Sequence, residues 1–264
     1  MKFKAKKFLG QVFLKDKRIL SLIAKSLEIH SKETILEVGA GYGNLTEFIL
    51  KEIKNKGKII AIEKDKELIK VLRERFGEEK KLEIISGDIR KIDLEKFLQE
   101  KKINKIVANL PYYLTGFFLR NLLDLKKYPS RTVLMLQKEV AEKILSPKSN
   151  FFSLSFSLVA KVKKIKIVNR EKFSPKPKVD SLILKIDFLK KQKSFSFRQE
   201  FFSFLKKCFS HPRKTLLSNL KRYERKEKIE EIFQKLSLSK KNRPQELSLN
   251  DYLKIFSYFS SKKI

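Results

Sequence analysis

Thr34-Ile35-Leu36-Glu37-Val38-Gly39-Ala40-Gly41-Tyr42-Gly43-Asn44 is the stretch that decides the fold. Its first five residues form a short, mostly apolar run that reads as a buried strand, and the three glycines after it mark a tight turn. Leu45 to Ile53 then carries a helical pattern. A strand that enters a glycine turn and leaves as a helix opens a βαβ unit and aims backbone N–H groups at a ligand.

The same alternation extends along the chain. Lys58-Glu63, Leu82-Ser86, Lys102-Ala108 and Thr132-Leu136 read as strands, Glu67-Phe76 reads as a helix, and Ile19, Leu20, Ile23, Ala24 and Leu27 place another helix before the first strand. Short β-branched runs separated by helices predict an α/β fold with a doubly wound, mainly parallel, Rossmann-like sheet, which a late strand over Val179 to Phe188 would close. Beyond Phe188 the pattern changes. Lys190-Lys191-Gln192-Lys193-Ser194 is a polar break, and apolar residues then recur at helical spacing: Phe201, Phe204, Leu205 and Phe209, next Ile229, Ile232, Phe233 and Leu236, and finally Leu253, Phe256 and Phe259. The expected organisation is a first domain over 1–190 and a small all-helical domain over 191–264.

Composition narrows the function. The 264 residues are 42% hydrophobic with 22 Phe, enough to bury a sizeable core. Lys and Arg number 62 against 30 acidic residues, a formal charge of +32. Such an excess self-repels in a compact state and points to a polyanionic partner, nucleic acid first, although the predominance of Lys also fits an AT-rich coding bias. One Cys and two His exclude an intrachain disulfide and a Cys/His zinc cluster and argue against a His-based triad, so no metal is expected. Cys208, inside Phe204-Leu205-Lys206-Lys207-Cys208-Phe209, reads as a small buried apolar residue. No apolar run approaches the ~20 residues a membrane span requires. The basic start, Lys2 to Lys7, would also suit an organelle presequence, but it runs at once into Gly10-Gln11-Val12-Phe13-Leu14; a cytoplasmic protein is the simpler expectation.

Three successive strand ends carry groups suited to one ligand. The glycine turn alone is a weak signal, and Asn44 stands where the dinucleotide fingerprint needs a small residue, which disfavours NAD. Gly39 and Gly41 provide close backbone approach; Glu63, ending the next strand, offers a carboxylate for two ribose hydroxyls. Asp88 can accept from an adenine amine while Ile89 packs on the ring. Taken singly, Glu63 or Asp88 serves equally well as a strand-end charge or helix cap; together they suit S-adenosylmethionine.

Asn109-Leu110-Pro111-Tyr112 ends the fourth strand. An adenine amine is a poor nucleophile because its lone pair is delocalised into the ring. Acceptors on its N–H groups, the Asn109 side-chain oxygen and the Leu110 carbonyl, favour a more tetrahedral nitrogen. Pro111 stiffens the turn and lacks a competing donor, and Tyr112 can stack on the base, a contact worth ~1–3 kcal/mol. An already activated methyl leaves alignment and electrostatic positioning as the remaining work.

These motifs resemble the ribosomal RNA adenine dimethyltransferases, and within them the bacterial small-subunit enzymes of the kasugamycin-resistance type. The resemblance is carried by Phe8-Leu9-Gly10-Gln11-Val12-Phe13-Leu14, Glu37-Val38-Gly39-Ala40-Gly41, Gly87-Asp88-Ile89, Asn109-Leu110-Pro111-Tyr112, Leu136-Gln137-Lys138-Glu139-Val140-Ala141 and Phe173-Ser174-Pro175-Lys176-Pro177-Lys178-Val179-Asp180-Ser181. It implies a seven-stranded class I methyltransferase sheet and a helical C-terminal lobe. It also implies dimethylation of two adjacent adenosines in a hairpin near the 3′ end of small-subunit (16S) rRNA, within a pre-ribosomal 30S particle, by a monomer linked to subunit maturation. Phe173 would form the second wall of the base pocket, and Val12 and Leu14 would contact the cofactor from a flap whose main chain makes the bonds. Lys2, Lys4, Lys6, Lys7, Arg213, Lys214 and Arg222 would meet phosphates. The tail sequences Arg213-Lys214-Thr215-Leu216-Leu217-Ser218-Asn219-Leu220 and Arg243-Pro244-Gln245-Glu246-Leu247-Ser248 favour this subfamily over the large-subunit methyltransferases of the macrolide-resistance type. A further alternative is an RNA-binding assembly factor that has lost activity. Val12 departs from the family's usual asparagine at that position.

Overall fold

A computed structural model describes residues 11–260. The chain divides into two compact units, the first running up to Ala141 and resuming over Val162–Phe188, the second comprising Glu142–Lys161 and the chain from Leu189 onward.

The first unit is built on a seven-stranded sheet. Its strands are β2 (Thr34–Val38), β3 (Lys58–Glu63), β4 (Leu82–Ser86), β5 (Ile103–Asn109), β6 (Arg131–Gln137), β7 (Ala160–Val168) and β9 (Ser181–Phe188), in the order β4-β3-β2-β5-β6-β9-β7. β4, β3, β2, β5 and β6 are parallel to their neighbours, whereas β9 runs antiparallel to β6 with Leu134 opposite Leu184. β3 is buried from Ile59 to Glu63, and Ile106, Val107 and Ala108 are buried in β5, as central strands covered on both faces require. The helices α1 (Lys17–Ser26), α2 (Asn44–Glu52), α3 (Lys66–Phe76), α4 (Leu94–Glu100), α5 (Thr115–Leu123) and α6 (Lys138–Leu145) connect or precede these strands. Asp16, Asp65 and Asp93 start α1, α3 and α4 by accepting hydrogen bonds from first-turn N–H groups. Ile19, Ile23, Ile49, Ile35, Ile59, Val107 and Ile183 share one apolar cluster, so α1 and α2 seal one face of the sheet.

Strand order reverses between β2 and β5: from β2 the chain winds outward to β3 and β4, then returns to β5 on the other side. Ligands of open α/β sheets bind outside the carboxyl ends of the strands at such a switch point. The glycine turn follows β2 and Asn109 ends β5, so both sit there by topology alone.

The sequence reading differs from the structure in three places. Residues 142–161, expected in the first domain, belong to the second unit. They contain α7 (Phe151–Val159), whose sequence FFSLSFSLV is too uniformly apolar to show a helical stripe, and which packs on α8 (Phe195–Cys208) and α11 (Leu249–Ser257). β7 was not foreseen, because four exposed lysines break its apolar pattern. The two-residue strands β1 (Phe13–Leu14) and β8 (Phe173–Ser174), too short to signal themselves, pair antiparallel. α9 (Leu216–Leu220) and α10 (Lys226–Lys235) complete the second unit. Its core is aromatic: Phe256 meets Phe197 and Phe201 edge-on at centroid distances of 5.4 and 5.3 Å. The buried Tyr252 donates from its hydroxyl to the Pro244 carbonyl at 2.7 Å.

Candidate active site

A crevice with about 980 Å³ of open space lies across the ends of β2, β3, β4 and β5. Gly39, Gly41, Glu63, Asp88, Ile89, Asn109, Leu110 and Pro111 line it, together with Val12 and Leu14. Ten positions singled out from sequence thus converge on one space. Tyr112 and Phe173 are not part of the lining.

Local geometry fixes the glycine wall. Gly43, at φ +76°, starts α2, and a Cβ there would lie 2.4 Å from the Phe76 ring, so only glycine lets α3 pack this close. Gly41, at φ +59°, faces Phe13, whose ring would sit 3.1 Å from a Cβ. Asn44 explains its own departure from the dinucleotide pattern: its side-chain amide donates to the Leu14 carbonyl at 3.1 Å, tying the turn to the N-terminal segment. Phe13 and Tyr42 close this contact with ring centroids 4.4 Å apart.

The carboxylates on this side are engaged by protein groups. Glu63, 7% exposed, accepts from Gly41 N–H at 2.9 Å on one oxygen and from the N–H groups of Lys64 and Asp65 at 2.8 and 3.0 Å on the other. Glu37, 2% exposed at the back of the crevice, accepts from the Thr46 hydroxyl at 2.6 Å. Burial pushes its pKa up to about 8, with the Thr46 bond opposing and the nearby Glu63 charge adding to the rise. Asp88 caps a short turn and holds Arg90 through Nε at 3.1 Å and Nη2 at 2.5 Å; those bonds depress its pKa to about 2.

The β5 side is open by contrast. Asn109 is half-buried, and its side-chain amide makes no hydrogen bond with another described residue. Leu110 is buried and Pro111 leads directly into a short helical turn over Tyr112–Leu114. The Tyr112 hydroxyl is buried beside the Ser181 side chain without a hydrogen bond of good geometry, and burial raises its pKa.

The flap is anchored rather than loose. Phe13 and Leu14 pair with Ser174 and Phe173, and Lys15 N–H reaches the Lys172 carbonyl at 3.0 Å. Gln11, which the sequence reading did not single out, lines the crevice and donates to Asp65 at 2.9 Å. Val12 lines the crevice and packs on the apolar cluster behind it. Phe173, expected as a base-pocket wall, is instead 5% exposed and sits in that cluster with Leu14, Met135 and Ile183. Its strand pairs with that of Leu14, and among the cluster residues Leu14 and Met135 line the crevice.

Of the residues expected to meet phosphate, Lys2, Lys4, Lys6 and Lys7 lie outside the described residues. Arg213, Lys214 and Arg222 are exposed in the second unit. The buried Asn219 shapes their loop, accepting from His211 N–H and donating to the His211 carbonyl, each at 3.1 Å. No helix among the described residues is long and apolar enough to cross a membrane.

A doubly wound sheet whose switch point combines a glycine turn, two strand-end carboxylates and an Asn-Leu-Pro-Tyr turn defines a Rossmann-like methyltransferase. The ribosomal RNA adenine dimethylase family model matches residues 2–261, and the chain belongs to that family, which uses a methyl donor of the S-adenosylmethionine type. The chain is 37% identical over 258 residues to a ribosomal RNA small subunit methyltransferase A of Malacoplasma penetrans, covering 96% of this chain and 92% of that protein. It is 35% identical over 265 residues to the protein of the same name in Clostridium botulinum, covering 96% and 93%. Among solved structures, a dimethyladenosine transferase from Plasmodium falciparum superposes with a TM-score of 0.80 at 29% identity, over 94% of this chain and 97% of that one. The 23S rRNA methyltransferase ErmE shares the fold, with a TM-score of 0.73 at 20% identity over 93% and 98%.

Proposed function

We propose that this protein uses S-adenosylmethionine to dimethylate the exocyclic amines of two adjacent adenosines in a hairpin near the 3′ end of small-subunit rRNA, acting as a monomer on a pre-ribosomal 30S particle in the cytoplasm. The observation that carries the reading is the side-chain amide of Asn109, without a hydrogen-bond partner among the described residues, at the end of β5 in the same crevice as Glu63 and Asp88.

The residues fit the donor. After three backbone N–H bonds Glu63 keeps one lone-pair site for a ribose hydroxyl, on the oxygen that accepts from Gly41. Asp88, ionised by Arg90, can accept from the adenine amine, Ile89 covers the ring, and Gly39, Gly41, Val12 and Leu14 leave main-chain groups along the remaining wall. When bound, the donor supplies a methyl group activated on a positively charged sulfur. Asn109 Oδ1 and the Leu110 carbonyl accept from the target amine and orient its lone pair, Pro111 holds their spacing, and Tyr112 covers the base. The alkylated amine is acidic enough to lose its proton to water, so no strong base is needed. Phe173 buttresses the flap strand behind Leu14. Arg213, Lys214 and Arg222 hold phosphates.

The test is methyl transfer by the purified chain to small subunits from a strain lacking these methyl groups, with products mapped by mass spectrometry. Two dimethyladenosines near the 3′ end are expected. Transfer to large-subunit rRNA, or tight subunit binding without transfer, would replace this reading by one of the two alternatives.

A further inference from the structure

Tyr113 is 47% exposed and directly follows the Asn109–Tyr112 turn. Lys64 donates from Nζ to its hydroxyl, which places the ammonium at the hydroxyl end of the ring, 5.1 Å from its centroid. The Arg90 guanidinium carbon lies 5.8 Å from the same centroid, oriented by Asp88. Lys64 has no carboxylate within ion-pair distance among the described residues. These three residues come from the ends of β3, β4 and β5, one to two positions after Glu63, Asp88 and Tyr112, so they are rigidly in register with the crevice.

A half-exposed aromatic ring beside one ammonium without an ion-pair partner among the described residues and one oriented guanidinium matches a single-stranded nucleotide: base on the ring, phosphate on the cations. The need for such a site follows from the chemistry. Drawing one adenosine out of its stack costs free energy and strips its neighbour of a stacking partner. A platform at the crevice rim restores that partner. We propose that Tyr113, Lys64 and Arg90 form a second nucleotide site that holds the adenosine adjacent to the one being methylated. The inference rests on the proposed function, in which the two target adenosines are neighbours. Because dimethylation leaves the π-face intact, the site accepts the neighbour before and after its own modification.

The full chain and unmethylated small subunits test this. Subunit affinity, measured by filter binding, reads the platform independently of turnover. Tyr113→Ala should weaken it about 30-fold, the middle of the range for losing one base–aromatic stack. Tyr113→Phe should recover most of that loss, since only the hydroxyl contact with Lys64 is removed. Lys64→Ala should reduce the slope of log affinity against log salt by ~0.7–0.9. Donor affinity, by calorimetry on the chain alone, should stay within about twofold in the two Tyr113 variants, which fold normally by circular dichroism. An unchanged subunit affinity in Tyr113→Ala overturns the proposal. So does a loss of donor affinity, which would assign the ring to the cofactor's adenine. Normal subunit binding by the natural chain without methyl transfer would overturn the proposed function alone, because the affinity comparison still stands.

Discussion

The two walls of the crevice are completed to different degrees. On the β2, β3 and β4 side each acidic group already has protein partners: Glu63 has three N–H groups, Glu37 has the Thr46 hydroxyl and Asp88 has Arg90. On the β5 side the Asn109 amide has none among the described residues, and the Tyr112 hydroxyl lacks a good one there. The difference teaches how the work is divided. A wall that must hold a common cofactor in one pose is fixed before the ligand arrives, whereas acceptors meant for a transient amine stay open, because binding energy raises turnover only where it is realised in the transition state.

The sharpest way to break this comparison is Asn109→Ala. If the open acceptor acts on the reacting amine, single-turnover methyl transfer should fall by about 10²- to 10³-fold, the range for removing one positioned electrostatic contact. Donor affinity by calorimetry should barely change. Near-normal transfer would mean the open wall is merely unfinished surface.

Glu63→Ala probes the completed wall and should behave in the opposite way. It strands the N–H groups of Gly41, Lys64 and Asp65, so donor affinity should drop about 10- to 100-fold and the melting temperature should fall with it, since hydrogen bonds to a charged group contribute ~1.5–3 kcal/mol. Glu63→Gln keeps one acceptor oxygen and should recover part of both. A loss of donor affinity with an unchanged melting temperature would show that the carboxylate serves only the ligand.

Glu37 tests the same wall through pH. Its folded pKa of about 8 lies above the ordinary glutamate value of 4.5, so between those values the folded state binds more protons than the unfolded one. Stability of the ligand-free chain should therefore fall as pH rises from about 5 to about 8 and level off above that. Glu37→Gln carries no proton to lose and should flatten this part of the melting profile while keeping the Thr46 partner. A profile of equal slope in both proteins would remove Glu37 from the account.

The sequence exposed what depends on short-range pattern. β2, β3, β5 and β6 were legible because central parallel strands are nearly continuous apolar runs and the edge strand β4 because Ile84-Ile85 is a short β-branched run, and Glu63, Asp88 and Asn109 were legible because each stands at or just past the end of one of these strands. What stayed hidden depends on partners distant in the chain. Nothing in Asn44 announces the Leu14 carbonyl, nothing in Arg90 announces that it claims Asp88, and the burial of Phe173 follows from its pairing with Leu14. α7 and β7 failed for opposite reasons, one apolar on too many sides and the other carrying lysine on too many positions.

The smallest expected effect belongs to Val12, where the chain departs from its family's usual asparagine. The flap main chain is fixed independently of that side chain, by the β1–β8 pairing and by Asn44 on the Leu14 carbonyl. Val12 also packs on the apolar cluster, so Val12→Asn exchanges buried apolar surface for one amide. A neutral hydrogen bond is worth ~0.5–1.5 kcal/mol net, and a partly buried methyl pair lost to water offsets a good part of it. Calorimetry should therefore show Val12→Asn binding S-adenosylmethionine at most about tenfold more tightly, with unchanged products and a slightly lower melting temperature. If the natural protein binds no donor and Val12→Asn restores binding, the completed wall needs an amide from the flap, the main chain does not suffice, and the chain is an assembly factor rather than an active enzyme.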